Sequence, residues 1–315
     1  MKNLSIFFMG VFLVATASAE QGDLGIAVKN VQESCGGIQV ELARMKTMAG
    51  VNTAVTGIGT LAGGGAAVIG FVKLSKDNEA AGIEARLKKL KDFEYELEGL
   101  PDNNDEDRGE DQKADFWDKF DKYRTEVINE EKTRLEQLEK ESKTLGNWRT
   151  GLMAGNTATN IAGAAIAGTN KVKNNIADQI NDCKESVAAL DSAAMQARID
   201  GEDTHKAESI VKECWAWNHV DISKINARGN AAMVAAIVGA VAGGVGTATS
   251  AAANTKTVRA EGKEKEEKAL NTASNVLAVG ATGASAVATG FNAAQMSAIN
   301  KALEVATACE GALIQ

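Results

Sequence analysis

The sequence predicts an all-α fold: two long antiparallel helical hairpins packed as an elongated four-helix bundle, with a charged coiled-coil extension of the first hairpin. Three observations carry that expectation. The 315-residue chain has one proline, Pro101, and only 4% aromatic residues, while Ala and Gly are abundant. That is the composition of long helices, some of them packed through small side chains. Its four cysteines are spaced symmetrically about two turn signals. Counted outward from those cysteines, the charge-free stretches fall at the same height on all four predicted arms.

The N-terminus reads as an export signal over 1–19. Lys2 precedes an apolar run from Leu4 to Val14, and Ala17-Ser18-Ala19 supplies a small-residue cleavage pattern. The expected location is therefore periplasmic, envelope-associated or secreted, where cysteines oxidise. Without Lys2 the chain keeps 33 basic and 42 acidic residues, a net of −9. An acidic chain lacks the basic surface that displaces counterions from nucleic acid, so no nucleic-acid partner is expected.

The first hairpin is expected over 20–199. Halfway between Cys35 and Cys183 lies Gly109, in the turn-like stretch Pro101-Asp102-Asn103-Asn104-Asp105, which places the turn about 100–112. Both arms are then 74 residues long, roughly 110 Å as helix. The second hairpin is expected over 200–315, after the break Asp200-Gly201-Glu202-Asp203. Its turn, about 260–263, lies halfway between Cys214 and Cys309. Equal arms bring each cysteine beside its partner, so Cys35–Cys183 and Cys214–Cys309 are the preferred bridges. Pairing between hairpins stays open if all four cysteines share one end. Asn156-Thr157-Ala158-Thr159-Asn160 and Asn271-Thr272-Ala273-Ser274-Asn275 hint at a duplicated hairpin.

Charge is missing from 47–72, 150–170, 229–255 and 269–300. Measured from the cysteines, these windows overlap between steps 15 and 33, roughly 27 Å of helix rise. Gly63, Gly64, Gly65, Gly155, Gly243, Gly244 and Gly280 stand near one height in that slab, 28 to 30 steps out. Glycine costs about 1 kcal/mol against alanine inside a helix, so close helix contact at a waist is the expected compensation. Substitution of Gly64 by leucine is accordingly expected to destabilise more than substitution by alanine.

Beyond the slab, 76–145 forms a projecting arm. Ile83, Leu87, Leu90, Phe93 and Leu97 recur at helical spacing on one side, and Phe116, Phe120, Tyr123, Val127, Leu135 and Leu138 on the other. The surrounding Lys and Glu make it a candidate surface for a protein partner or self-association.

Catalytic constellations are absent from this reading. Gly63–Gly65 has no following Lys and no preceding strand, so it is not a phosphate loop. The acidic tip 102–107 lacks the ordered ligand spacing of a calcium loop. Only His205 and His219 accompany the cysteines, and no C-x-x-C occurs, which excludes a conventional zinc site. Trp215 and Trp217 are expected to pack around the disulfide end. No catalytic residue, cofactor, metal or small-molecule substrate is expected. Two function classes follow: first, an exported non-enzymatic scaffold with a disulfide-clamped base; second, a membrane-inserting or pore-forming protein using the four uncharged segments.

Overall fold

The computed structural model describes residues 23–98, 110–255 and 264–314. The expected signal segment 1–19 and most of the two expected hairpin turns, 100–109 and 260–263, lie outside the described residues. Among those described the fold is all-α, a helical bundle without a strand. Its elements are α1 (Asp23–Cys35), α2 (Ile38–Glu98), α3 (Glu110–Thr169), α4 (Asn174–Ile199), α5 (His205–Cys214), a 3-10 turn (Trp215–His219), α6 (Ile222–Ala253) and α7 (Glu264–Ile314).

The breaks between helices have local causes. Gly37, at φ +82°, turns the chain between α1 and α2 in a conformation that side chains with a Cβ resist. Gly201, at φ +83°, ends α4, and Glu202 N donates back to Ala197 O at 2.9 Å, a glycine-based C-terminal cap. The break between α3 and α4 has neither Gly nor Pro. There Asn226 clasps Val172 from both sides, its Oδ1 accepting from Val172 N and its Nδ2 donating to Val172 O. The Asn170 side chain donates to Met45 O, and Gln295 donates to Asn170 O. Side-chain amides thus satisfy backbone groups that the interrupted helix leaves open. At the start of α6, Asp221 accepts from Ser223 Oγ and Lys224 N. These bonds, the hydroxyl first, hold its carboxyl down at about 2.

Facing residues on α2 and α3 run in opposite senses. Gly59 meets Thr159, Gly63 meets Asn156 and Gly65 meets Leu152; farther along, Glu79 pairs with Arg134 and Arg86 with Glu131. One number rises as the other falls, so these helices are antiparallel. On α6 and α7, Arg228 reaches Ala294 O, and Gly246 faces Leu277 and Ser274, again antiparallel.

The chain forms two compact units, and each draws on both predicted hairpins. Of the described residues, the first unit comprises 23–54, 165–233 and 289–314. It has an aliphatic core in which Val31, Ile38, Leu42, Ile180, Leu190 and Ile210 are fully buried. Both bridges, Cys35–Cys183 and Cys214–Cys309, sit in this core, so the preferred pairing is the one observed. The Sγ atoms of Cys35, Cys183 and Cys309 lie within 4.8 Å of one another, so the bridges are neighbours. Trp217 is buried in the same cluster, whereas Trp215 is 42% exposed.

Of the described residues, the second unit comprises 55–98, 110–164, 234–255 and 264–288, including the described part of the charged arm. There Ile83 and Leu138 are buried, and Leu87, Leu90, Phe120, Val127 and Leu135 are partly buried; Tyr123 instead faces out. Phe93, Leu97 and Phe116 have side chains outside the described set. Ion pairs Lys76–Glu141, Arg86–Glu131 and Arg134–Glu79 tie α2 to α3, exposed enough that each contributes little.

Two outcomes are expected. Replacing Cys214 and Cys309 together by serine removes a bridge closing 95 residues and should cost about 2–5 kcal/mol, read from denaturant unfolding followed by circular dichroism. The Asp221 carboxyl has a depressed pKa, so its capping contribution is complete above the ordinary carboxylate value and is lost as pH falls through about 2. Asp221→Asn should therefore flatten the acid limb of the stability profile.

Candidate functional site

The second unit reverses the usual distribution of polarity. Its apolar cluster contains only Ala66, Ala67, Met153 and Ala278, with Leu152 against it. The interior around that cluster is polar: Asn156, Asn160, Ser250, Asn271, Ser274, Asn275 and Ser285 are all at most 4% exposed. The large aliphatic side chains of the same stretches point outward. Ile58, Leu61 and Val68 on α2, Val234, Ile237, Val238, Val241 and Val245 on α6, and Val276, Val279 and Val287 on α7 are about half exposed or more.

A cluster of amides and hydroxyls from α3 and α7 forms the centre. Asn160 Nδ2 donates to Asn156 Oδ1 at 2.8 Å and approaches Ser285 Oγ at the same distance. Ser285 Oγ also lies 2.9 Å from Asn156 Oδ1 and 2.8 Å from Ala281 O. Buried amides are costly when unpaired, and here they are paired with each other.

The glycines make room for this cluster. A Cβ on Gly63 would stand 2.6 Å from Thr282 Oγ1 and 2.7 Å from Asn156 Nδ2. On Gly59 it would strike Thr159 Oγ1, on Gly239 the Asn160 amide at 2.9 Å, and on Gly243 Thr157 Oγ1 at 2.6 Å. Gly70 faces Asn275 and Arg149 in the same manner, and Gly146 faces Asn254. The contact is therefore glycine to polar side chain rather than backbone to backbone.

The seven glycines singled out by height divide accordingly. Gly63 and Gly243 are tightly covered, and Gly65 meets Leu152 Cδ1 at 3.3 Å. Gly64 and Gly244 touch only threonine methyls, at 3.9 and 3.8 Å, while Gly155 and Gly280 have nothing within 4 Å. Height alone did not specify which side of each helix faces inward. The helical period places Gly59 and Gly63 on the inner side and Gly64 beside it.

At the arm end of the charge-free windows lies a buried ionic group. Lys73, 1% exposed, donates to Asp77 at 2.6 Å and to Glu267 at 3.5 Å. Asp77 also accepts from Ser142 Oγ at 2.5 Å and Asn271 Nδ2 at 3.3 Å. Arg149, fully buried, donates to Asn271 O at 3.4 Å. The two carboxylates compensate the burial of Lys73, whereas Arg149 keeps only the bond to Asn271 O, its Nε and Nη1 being buried without a hydrogen-bond partner. Beside Arg149, the groove lined by Thr144, Asn147, Trp148, Gly151 and Leu152 is open to the surface.

His205 and His219 are exposed, and His219 lines a shallow polar groove with Asn181, Lys184 and Asp221. Among the described residues the only metal-sized grouping is that of Cys35, Cys183 and Cys309, whose sulfurs are already committed to the two bridges. Sequence reasoning missed the ionic group and the mutual pairing of the inward asparagines. Asn156 and Asn160, four apart in an uncharged helix, were the signal for the latter.

No protein-family model, curated protein or solved structure matches this chain.

The glycine contacts predict a sharp contrast. Gly63→Ala should push Asn156 and Thr282 apart and lower the melting temperature by several degrees. Gly64→Ala, next along the helix, meets no obstacle and gains up to about 1 kcal/mol of helix propensity. Thermal melts followed by circular dichroism of both variants check this.

Proposed function

We propose that this chain is a membrane-embedded helical protein, built as two antiparallel hairpins whose uncharged segments 47–72, 150–170, 229–255 and 269–300 cross a bilayer together. The observation that carries it is the reversed polarity just described, with aliphatic side chains outside and amides inside. A water-soluble scaffold would hide the valines of α6 and leave the asparagines of α3 wet. Hydrocarbon favours the arrangement present here.

Three further features support this reading. α2, α6 and α7 are long and apolar enough to cross a membrane, and the shared charge-free height of roughly 27 Å approaches the hydrocarbon thickness of about 30 Å. α3 is too polar to qualify by hydropathy, but it pairs with α2 residue for residue and turns Asn156 and Asn160 inward. Its outward positions are small or apolar: Gly151, Ala154, Gly155, Ala158, Ile161 and Ala162. Finally, the threonines of these segments bond their own helices. Thr53, Thr60, Thr157, Thr247 and Thr282 each donate to the carbonyl four residues back, at 2.7–3.0 Å. A hydroxyl satisfied in this way tolerates a neighbourhood without water.

The asparagines that could line a lumen hydrogen-bond to one another instead, which favours a closed anchor over an open pore. Its role is then architectural rather than enzymatic: it holds a disulfide-clamped domain and a charged arm to a membrane. The soluble exported scaffold is the second reading. The ordinary aliphatic core around the disulfides favours it, since that part of the chain is built for water.

A substitution on the outer face separates the two. Val241, 62% exposed, becomes Asp in Val241→Asp. On a watery surface such a change is within about 0.5 kcal/mol of neutral, whereas in the bilayer centre aspartate costs about 2.5–3.5 kcal/mol. The native chain should resist carbonate extraction from membranes, and the variant should insert poorly. A native chain released by carbonate, with a variant as stable as its parent, would overturn the membrane reading.

A further inference from the structure

We infer that the chain has a fixed topology: the disulfide-bearing segments face the oxidising compartment, and the charged arm 73–149 and the connection 256–268 face the cytoplasm. The inference rests on the membrane reading above and adds a direction to it.

Chain order fixes which segments share a side. Four spans separate five segments, so 23–46, 171–228 and 301–314 lie on one side, and 73–149 and 256–268 on the other. The antiparallel contacts of α2 with α3, and of α6 with α7, agree with this alternation. All four cysteines then fall on the first side: Cys35 before the first span, Cys183 and Cys214 between the second and third, and Cys309 after the fourth. Both bridges close between segments of that side. Bridges form and persist outside the cytoplasm, so that side is the oxidising one.

The cations give an independent answer. Lys and Arg near the ends of spans are retained on the cytoplasmic side, and acidic residues hardly affect the choice. The short connection after the third span carries Lys256, Arg259, Lys263, Lys265 and Lys268. On the other side the span ends are flanked by Arg44, Lys46, Lys171, Lys173, Lys184, Lys224, Arg228 and Lys301. Flanking the arm are Lys73, Lys76 and Arg86 on α2 and Lys140, Lys143 and Arg149 on α3. Cysteine oxidation puts the arm inside, and the cation excess on the arm side, eleven against eight within about 15 residues of the span ends, points the same way. The arm is therefore presented to cytoplasmic proteins, and the disulfide-clamped segments anchor it from without.

Single added cysteines report the side directly, because every native cysteine is bridged. Arg198→Cys lies in the disulfide-bearing segments, Lys140→Cys in the arm and Lys268→Cys at the end of the short connection; all three positions are exposed. Each full-length variant is expressed in a bacterial host, and spheroplasts are treated with a membrane-impermeant maleimide, with carbonate extraction in parallel. The expected result is Arg198→Cys labelled at once, and Lys140→Cys and Lys268→Cys labelled only after detergent. Lys140→Cys labelled from outside, in a chain that stays in carbonate-washed membranes, overturns the topology and leaves the membrane reading standing. A chain that washes off with carbonate, with all three sites labelled alike, overturns the membrane reading itself. Circular dichroism of each purified variant confirms that its helices are retained.

Discussion

Glycine on one helix facing an amide or hydroxyl on the next is the contact on which the second unit depends. Asn156 occupies space that a Cβ on Gly63 would need, and Asn160 does the same opposite Gly239. Remove the gap and the amide loses its partners; remove the amide and the glycine is only a helix-weakening residue. The two therefore stabilise each other, and neither has an equivalent in an aliphatic core. Such a centre specifies register tightly. A side-chain amide needs a partner within about 3 Å, whereas an aliphatic group accepts any neighbour of the right volume.

The disulfide-bearing unit is the internal comparison. The same chain packs Ile38, Leu42, Ile180 and Leu190 there in the ordinary way and clamps them with two neighbouring bridges. The composition of long stretches of α2, α3, α6 and α7 therefore does not reflect an inability of the sequence to build an aliphatic core. Valine and isoleucine are available in the second unit as well, but Val238, Val241 and Ile58 are turned outward. On the proposed membrane reading, two solvents would account for both arrangements with one rule: each group faces the medium that costs it least.

Much of the helical fold was legible, for reasons that particular residues make clear. Equal spacing of cysteines about Gly109 and about residues 261–262 anticipated both bridges, because helix rise per residue is constant. The sparse charges marked the height at which Gly63 meets Asn156. What stayed hidden was rotation about the helix axis. Gly63 and Gly64 differ by one residue and about 100° on a helix, and height does not distinguish them. The outward valines and inward asparagines were likewise present in the letters. A stripe with amides on one face and aliphatics on the other has the same periodicity whichever face is inside. Only the contacts of Asn156, Asn160 and Ser285 with one another decide it. The break at Asn170–Lys173 was illegible for a related reason: its stability comes from Asn226 and Gln295, distant in sequence.

The buried ionic group fits the same proposal, in which the uncharged segments cross a bilayer. Lys73 and Arg149 are the residues at which the charge-free windows of α2 and α3 end. In an open surface their side chains would be solvated and replaceable. Here they turn inward, and Asp77, Glu267 and Asn271 receive them. A charge at the rim of a hydrocarbon layer has two low-cost options, to extend into the headgroup region or to find a partner inside the protein. On the proposed membrane reading, pairing across α2, α3 and α7 would take the second course, and it also gives register, since Lys73 can meet Asp77 and Glu267 together only when α2 and α7 are aligned. The Lys73–Glu267 pair and the Gly70–Asn275 contact thus impose the same alignment of α7 on α2, while Gly63–Asn156 and Gly239–Asn160 set α3 against α2 and α6. A slip of a single residue along α7 would break the first two together.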